Sequence, residues 1–147
     1  MQEEKLQDVN VYVETTAKSP REQDAAYLYL LEMKTEKGPL TLNKKGVIHG
    51  TRNYIEIKTL EMALERVKMQ VSLHLYIDSE YVFQAFVQEL PKKWEENGWK
   101  TAKGTPVANM EEWKKTLKLL YGNPFEIHMK QEHEYRKWME REIRKEG

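Results

Sequence analysis

A change in hydrophobic period near residue 53 constrains the fold of this chain most strongly. Before that point, alternating or branched and aromatic apolar residues mark three segments that are typical of β-strands. They are Val9 to Val13, Ala25 to Met33, and a weaker third segment within PLTLNKKGVIHG that we expect Gly46 to interrupt. Because the connections between these segments are short, they predict an antiparallel meander.

After residue 53, helical and strand patterns alternate. Residues 53 to 70 predict a helix with an apolar face and a charged face that includes Glu61. From Val71 to Asp78, apolar and polar residues alternate again, which predicts a fourth strand. We further expect a helix over 80–89 that ends before Pro91, a helix after Asn109, a strand over 125–129 and a helix over 134–145. This order, βββαβα(α)βα, predicts an α/β fold with a mixed sheet covered by helices.

Composition limits the remaining choices. The 147 residues suit one domain, 1–147, with a polar N-terminal tail over 1–8. The chain lacks cysteine, which excludes disulfides and thiolate metal sites. Apolar runs are far shorter than the ~20 residues of a membrane span, and the first residues do not resemble a secretory signal. We therefore expect a cytoplasmic protein without membrane contact.

Acidic residues end two of the predicted strands. Glu14 follows the first strand and Asp78 follows the fourth, and these strands can lie parallel and adjacent. Two neighbouring carboxylates repel each other unless a cation such as Mg²⁺ or Mn²⁺ offsets the charge. Glu56, early in the first helix, borders the apolar face. The alternatives are solvated strand ends for Glu14 and Asp78, and a first-turn interaction with the helix dipole for Glu56.

The run from Leu75 to Trp113 resembles the type 1 ribonuclease H family. It contains YIDSEYVFQAFVQ and then KKWEENGWKTAKGTPVANMEEW, an ordered series of family features. The resemblance implies a five-stranded mixed sheet, three antiparallel strands and then two parallel ones, flanked by helices. It also implies hydrolysis of the RNA strand of RNA–DNA hybrids by four carboxylates and two Mg²⁺ (or Mn²⁺) ions.

Position by position, the resemblance implies a set of catalytic residues. The four metal-binding acids fall on Glu14, Glu56, Asp78 and Glu140, with Glu142 as an alternative to Glu140. A proton-shuttling histidine falls on His133, or its place is taken by Glu132.

The resemblance also implies a nucleic-acid surface. A basic handle carries Lys92, Lys93, Trp94, Trp99 and Lys100, with tryptophans that pack internally and lysines that neutralise phosphates. Further contacts fall on Thr51, Arg52, Asn53, Glu80 and Asn109, although Asn109 has an equally good explanation as a helix cap. The expected partner is an RNA–DNA hybrid, bound by a monomer. The balance of 24 basic and 24 acidic residues argues against indiscriminate binding, yet permits such a local basic patch.

Three departures from the family pattern leave other hypotheses open. Glu14 replaces an aspartate, the loop AKSPREQD after it lacks glycine, and the segment MKQEHEYRKWME around His133 is short and glycine-free. A second hypothesis is therefore a catalytically impaired module that binds nucleic acid without efficient cleavage. A third is a nuclease for another structured nucleic acid, because the same fold hosts integrase and junction-cleaving chemistry.

Overall fold

The computed structural model describes residues 5–129 and 133–145 of the chain. The strands are β1 (Asp8–Thr15), β2 (Gln23–Thr35), β3 (Gly38–Gly50), β4 (Ser72–Ile77) and β5 (Phe125–Met129). The helices are α1 (Arg52–Leu64), α2 (Glu80–Val87), α3 (Leu90–Glu96), α4 (Met110–Leu120) and α5 (Arg136–Glu142). The predicted order is confirmed, with α3 as one additional short helix.

The five strands form one mixed sheet in the order β3-β2-β1-β4-β5. Strands β1, β2 and β3 pair antiparallel, whereas β4 runs parallel to both β1 and β5. Tyr12 of β1 lies opposite Tyr76 of β4. Two residues further along each strand, Glu14 and Asp78 therefore reach the same end of the sheet on the same face.

Two apolar clusters cover the two faces of the sheet. The larger one packs α1, α2 and α4 against alternate strand residues such as Leu73, Leu75 and Ile77. The smaller one packs Met139 and Ile143, from α5 and the residue after it, against the opposite face. The first cluster provides most of the core, and the second positions the final helix beside Glu14.

Strand β3 and helix α1 differ from the predicted elements. Strand β3 continues through Gly46, which lies opposite Tyr27. The glycine leaves room for the tyrosine ring, which a Cβ at this position would meet at 2.7 Å. Helix α1 ends at Leu64 instead of continuing to residue 70. Glu61 is buried rather than solvent-facing, since its carboxylate pairs with Lys58 at 2.8 Å.

Helix α2 agrees closely with the sequence pattern, whereas the final helix does not. Helix α2 ends at Val87, and Pro91 lies in the first turn of the new helix α3. The final helix is shorter than predicted, Arg136–Glu142. Among the described residues, no helix combines the length and apolar character needed to cross a bilayer.

Candidate active site

A cleft of about 600 Å³ opens at the end of the sheet where β1 and β4 terminate. Three of the four predicted acids line it: Glu14 from β1, Asp78 after β4 and Glu140 from α5. Basic residues line the same cleft, namely Lys18, Arg52 and Arg144. The cleft therefore combines oxygen ligands for a cation with positive charges suited to a phosphate backbone.

Glu14 is largely withdrawn from solvent. It is 7% exposed, although its position near the end of a strand also fitted a solvated carboxylate. Its Cα lies opposite Leu28 of β2, which belongs to the apolar cluster beneath α5. The solvated reading of Glu14 is thus wrong, because the side chain lies between this cluster and the cleft.

Glu56 is the most buried of the four acids, at 1% exposure. It lies beyond the first turn of α1, so the expected alternative of a first-turn dipole contact is wrong. Its Oε1 accepts hydrogen bonds from the backbone amides of Asp78 at 2.6 Å and Ser79 at 2.9 Å, and Oε2 accepts from Ser79 at 2.8 Å. Burial raises the pKa of Glu56 to about 7, although these two amides act in the opposite direction.

Arg52 contacts Asp78 directly, with a guanidinium nitrogen 3.2 Å from the Asp78 Oδ2. Thr51 caps the helix that carries Arg52 by accepting a hydrogen bond from the Tyr54 amide at 3.1 Å. This cap places Arg52, the first residue of α1, next to the Asp78 carboxylate. A positive charge thus compensates Asp78 within the cleft.

Glu140 and Glu142 face different surroundings. Glu140 lines the cleft, and its Oε1 accepts from Arg136 one helical turn earlier at 3.0 Å. Glu142 points towards β3, where it contacts Lys45 at 3.6 Å, and it also contacts Lys145 at 3.2 Å. Of these two candidates, only Glu140 is positioned beside Glu14 and Asp78.

His133 lies over the sheet rather than on the described wall of the cleft. Its ring stacks on Tyr12 with a centroid distance of 4.3 Å, and its Nδ1 accepts from the Tyr135 amide at 3.2 Å. Tyr12 precedes Glu14 by two residues on the same face of β1. His133 therefore lies beside the residue next to Glu14 on that face, and not beside Glu14 itself. The alternative residue, Glu132, lies outside the described residues.

The other predicted contact residues have varied local roles. Asn53 accepts a hydrogen bond from the Ser79 hydroxyl at 2.9 Å, which ties α1 to the start of α2, and Glu80 is exposed in the first turn of α2. Asn109 precedes α4 as predicted, but its side chain makes no capping hydrogen bond within the described chain. Its backbone is left-handed, with φ of 61°. The left-handed backbone, which asparagine adopts more readily than most residues, explains an asparagine at this position without a capping bond.

The handle separates aromatic from basic residues. Trp94 and Trp99 are buried, and Trp94 packs edge-on against Trp113 at 5.5 Å. Lys92 and Lys93, by contrast, are exposed on α3. Lys100 and Lys103, in the loop that follows α3, are exposed as well. The handle thus presents lysines outward from a tryptophan-based framework.

The donor set of the cleft suits a hard divalent cation. Glu14, Asp78 and Glu140 offer carboxylate oxygens without sulfur or nitrogen ligands, and buried Glu56 adds a fourth oxygen donor next to Asp78. The three lining acids do not form a tight cluster. Over residues 5–129 and 133–145, the one group whose ligand atoms all lie within 4.8 Å of one another is elsewhere: His74, Glu126 and His128.

Several of these residues were not predictable from sequence motifs. Lys18 and Arg144 line the cleft, yet neither belongs to a motif that would single it out. The group of His74, Glu126 and His128 depends on the register between β4 and β5, in which His74 lies opposite Glu126. The alternation of side chains along a strand was the one available signal for this group. It places Glu126 and His128 together on one face of β5, but it does not show that His74 of β4 lies beside them.

Comparison with known proteins identifies the family. The sequence model of the family RNase H matches residues 6–136. Ribonuclease H of Clostridium botulinum (strain Hall) is 40% identical over 77 residues, which are 52% of this chain and 52% of that protein. The chain thus spans, in this alignment, about half the length of the curated relatives it matches.

Solved structures show the same fold at low identity. LC9-RNase H1, a type 1 RNase H with the type 2 active-site motif, has a TM-score of 0.71 at 15% identity, with coverage of 90% of this chain and 67% of that chain. The foamy viral protease-reverse transcriptase in complex with RNA/DNA hybrid has a TM-score of 0.62 at 15% identity. The match covers 95% of this chain and 19% of the viral chain. Because the family model covers most of its length, this chain belongs to the RNase H family.

Proposed function

We propose that this protein is a divalent-metal-dependent endonuclease that hydrolyses the RNA strand of RNA–DNA hybrids. The observation that carries the proposal is the convergence of Glu14, Asp78 and Glu140 on one cleft, next to buried Glu56, in a member of the RNase H family. These four acids are the proposed ligands for Mg²⁺ or Mn²⁺. When bound, a pair of such ions would activate the attacking water and stabilise the leaving oxygen.

The protein's own residues prepare the cleft for a charged substrate. Glu56 fixes the main chain at Asp78 and Ser79 through its two amide partners, which sets the direction of the Asp78 side chain. Arg52 contacts Asp78 at 3.2 Å and lines the cleft, where its positive charge would offset that of a bound phosphate. Arg136 holds Glu140 from the neighbouring turn of α5.

The handle is the proposed grip on the nucleic acid. Lys92, Lys93 and Lys100 are exposed and close in sequence to the buried tryptophans that support them. Lysine contacts to phosphates release counterions and fix the register of a duplex without reading its sequence. Asn109, whose side chain is not used for capping within the described chain, is the proposed polar contact at the start of α4.

A second function, binding without efficient cleavage, is favoured by one observation. His133 stacks on Tyr12, and no histidine is among the described residues that line the cleft. A proton-transferring histidine is therefore not positioned at the acids in this conformation. Binding would then depend on the handle and would not require Asp78.

A cleavage assay separates the two functions. We expect purified protein to cut the labelled RNA strand of a hybrid in Mg²⁺ or Mn²⁺, and Asp78→Asn to cut at least ~1000-fold more slowly, because this change removes a charged ligand. Asp24→Asn is the matched control, since Asp24 pairs with His49 at 2.8 Å and does not line the cleft.

The assay includes a binding measurement with Asp78→Asn. Cleavage by the wild-type protein and the control, but not by Asp78→Asn, supports the nuclease. Absence of cleavage in both metals, together with salt-sensitive hybrid binding that survives Asp78→Asn, supports the binding module and overturns the nuclease. Absence of both activities overturns both functions.

Substitutions in the handle test the division between lysines and tryptophans. We expect the double variant Lys92→Ala, Lys93→Ala to bind the hybrid roughly 10-fold more weakly, with almost unchanged stability. The slope of log affinity against log salt concentration should fall by the amount that about two phosphate contacts contribute. Trp94→Ala, in contrast, is expected to lower the free energy of unfolding by about 3–5 kcal/mol, because it leaves a cavity beside Trp113.

Fluorescence anisotropy at several salt concentrations and urea denaturation measure the two effects. The charge-matched control is Lys34→Ala with Lys37→Ala, at the turn between β2 and β3 and at the opposite end of the sheet from the cleft. Equal losses of affinity in both lysine pairs would show that net charge, and not the handle, determines binding.

A further inference from the structure

A second cluster of metal-ligand residues lies on the same face of the sheet as the cleft but near its other end. His74 of β4 and Glu126 of β5 are paired across the two parallel strands, and His128 lies two residues beyond Glu126. Because side chains alternate along a strand, all three project from one face. His74 precedes Asp78 by four residues, which is about 13 Å along a strand, so this cluster is separate from the proposed catalytic acids.

The contacts within the cluster have the dimensions of a metal site. The Glu126 Oε2 lies 3.3 Å from the His74 Nδ1 and 3.4 Å from the His128 Nε2. Ligands held 2.0–2.1 Å from Zn²⁺ in a tetrahedron lie about 3.3 Å from one another. One ligand atom from each residue lies within 4.8 Å of the other two, so a small side-chain movement completes the triangle.

Asp8 supplies the support that metal-bound histidines usually have. Its Oδ1 lies 2.9 Å from the His74 Nε2, the ring nitrogen opposite the one that faces Glu126. A carboxylate on the second nitrogen fixes the tautomer that leaves Nδ1 available as a ligand. His128 is oriented in another way, since its ring stacks on Tyr76 with a centroid distance of 4.9 Å.

We propose that His74, Glu126 and His128 form a Zn²⁺ site that joins the edge strand β5 to β4, with Asp8 as a positioning residue. Two imidazoles and one carboxylate favour zinc over Mg²⁺, which prefers oxygen ligands and near-octahedral geometry. Water completes the coordination, because the Glu126 side chain is open to solvent. The proposal is independent of hybrid cleavage and concerns different residues.

Zinc titration tests the site directly. The 147-residue protein, freed of metal, is titrated with Zn²⁺ in competition with a chromophoric chelator, in excess Mg²⁺ to occupy sites made of oxygen ligands alone. We expect one tight equivalent for the wild type and at least ~10-fold weaker binding for His74→Gln and for His128→Gln. Asp8→Asn is expected to weaken binding by ~10-fold or more, as loss of an outer carboxylate does elsewhere.

His49→Gln is the matched control, because His49 also pairs with a carboxylate, Asp24 at 2.8 Å, but lies in β3 outside the cluster. Circular dichroism verifies folding of each variant, and the Co²⁺ visible spectrum reports coordination independently of affinity. Zinc should also raise the melting temperature of the wild type and the control, but not of His128→Gln. Absence of a tight equivalent in the wild type, or equal binding by all variants, overturns the proposal.

Discussion

Replacing Glu56 with glutamine is expected to stabilise the metal-free protein at pH 8 while it removes hybrid cleavage. The pKa of Glu56 is raised from 4.5 to about 7 by burial, so the folded protein holds this proton more tightly than the unfolded chain does. Between these two pKa values the folded state binds more protons, and stability therefore falls as pH rises. Each unit of pKa difference is worth about 1.4 kcal/mol, so Glu56→Gln should gain at most about 3 kcal/mol at pH 8.

Urea denaturation of wild type and Glu56→Gln at pH 5 and pH 8, with a chelator present, measures this difference. The variant's amide oxygen can still accept from the Asp78 and Ser79 amides, but its amide nitrogen replaces the Oε2 that accepts from Ser79. The change in the stability difference between pH 5 and pH 8 therefore reports the charge. Glu61→Gln is the control, because Glu61 is equally buried in α1 but neutralised by Lys58, and its replacement should not stabilise the protein. A gain that does not change between the two pH values would mean that burial of Glu56 does not perturb its ionisation.

Replacing Glu14 with aspartate is expected to increase the cleavage rate by ~10–100-fold. The longer glutamate places its oxygens about one methylene further into the cleft than the aspartate that the family resemblance implies at this position. A misplacement of about 1 Å in a catalytic group can cost ~100-fold in rate. Glu14 is buried beside the α5 cluster, so the rest of the protein gives it little freedom to correct this position.

Single-turnover rates on a hybrid, in Mg²⁺ and in Mn²⁺, measure this effect. Glu142→Asp is the matched control, because Glu142 makes its ion pairs with Lys45 and Lys145 and does not line the cleft. A slower Glu14→Asp variant would show that the glycine-free loop after β1 has adapted the cleft to the longer side chain. Unchanged rates would place Glu14 outside the rate-limiting chemistry.

The sequence predicted those features that depend on local periodicity. Alternation in Val9 to Val13 and Val71 to Asp78 assigned two strands, and their order indicated a parallel pair that brings Glu14 and Asp78 to one edge. The end of α2 before Pro91 also follows from local chemistry, since proline lacks an amide hydrogen, whereas α4 begins after Asn109 without the capping bond that the sequence suggested. The two strands decide where Glu14 and Asp78 meet.

Features that depend on distant partners were not predictable in this way. Glu61 looks solvent-facing by spacing, but Lys58 supplies the counter-charge that permits its burial. Burial of Glu56 depends on the backbone amides of Asp78 and Ser79, which are distant in sequence. The length of β3 depends on the Tyr27 ring opposite Gly46, and spacing alone cannot report a cross-strand neighbour.

The open sheet has a further consequence for association between copies of this protein. Its outer strands, β3 and β5, each have a side that another strand can approach, and such edges template aggregation. Val47 on β3 is 70% exposed, which increases this tendency, but Lys44 and Pro39 on the same strand oppose the addition of a neighbour. Strand β5 has only five residues. Because a formal charge of zero gives little general repulsion between copies, solubility depends on these few edge residues.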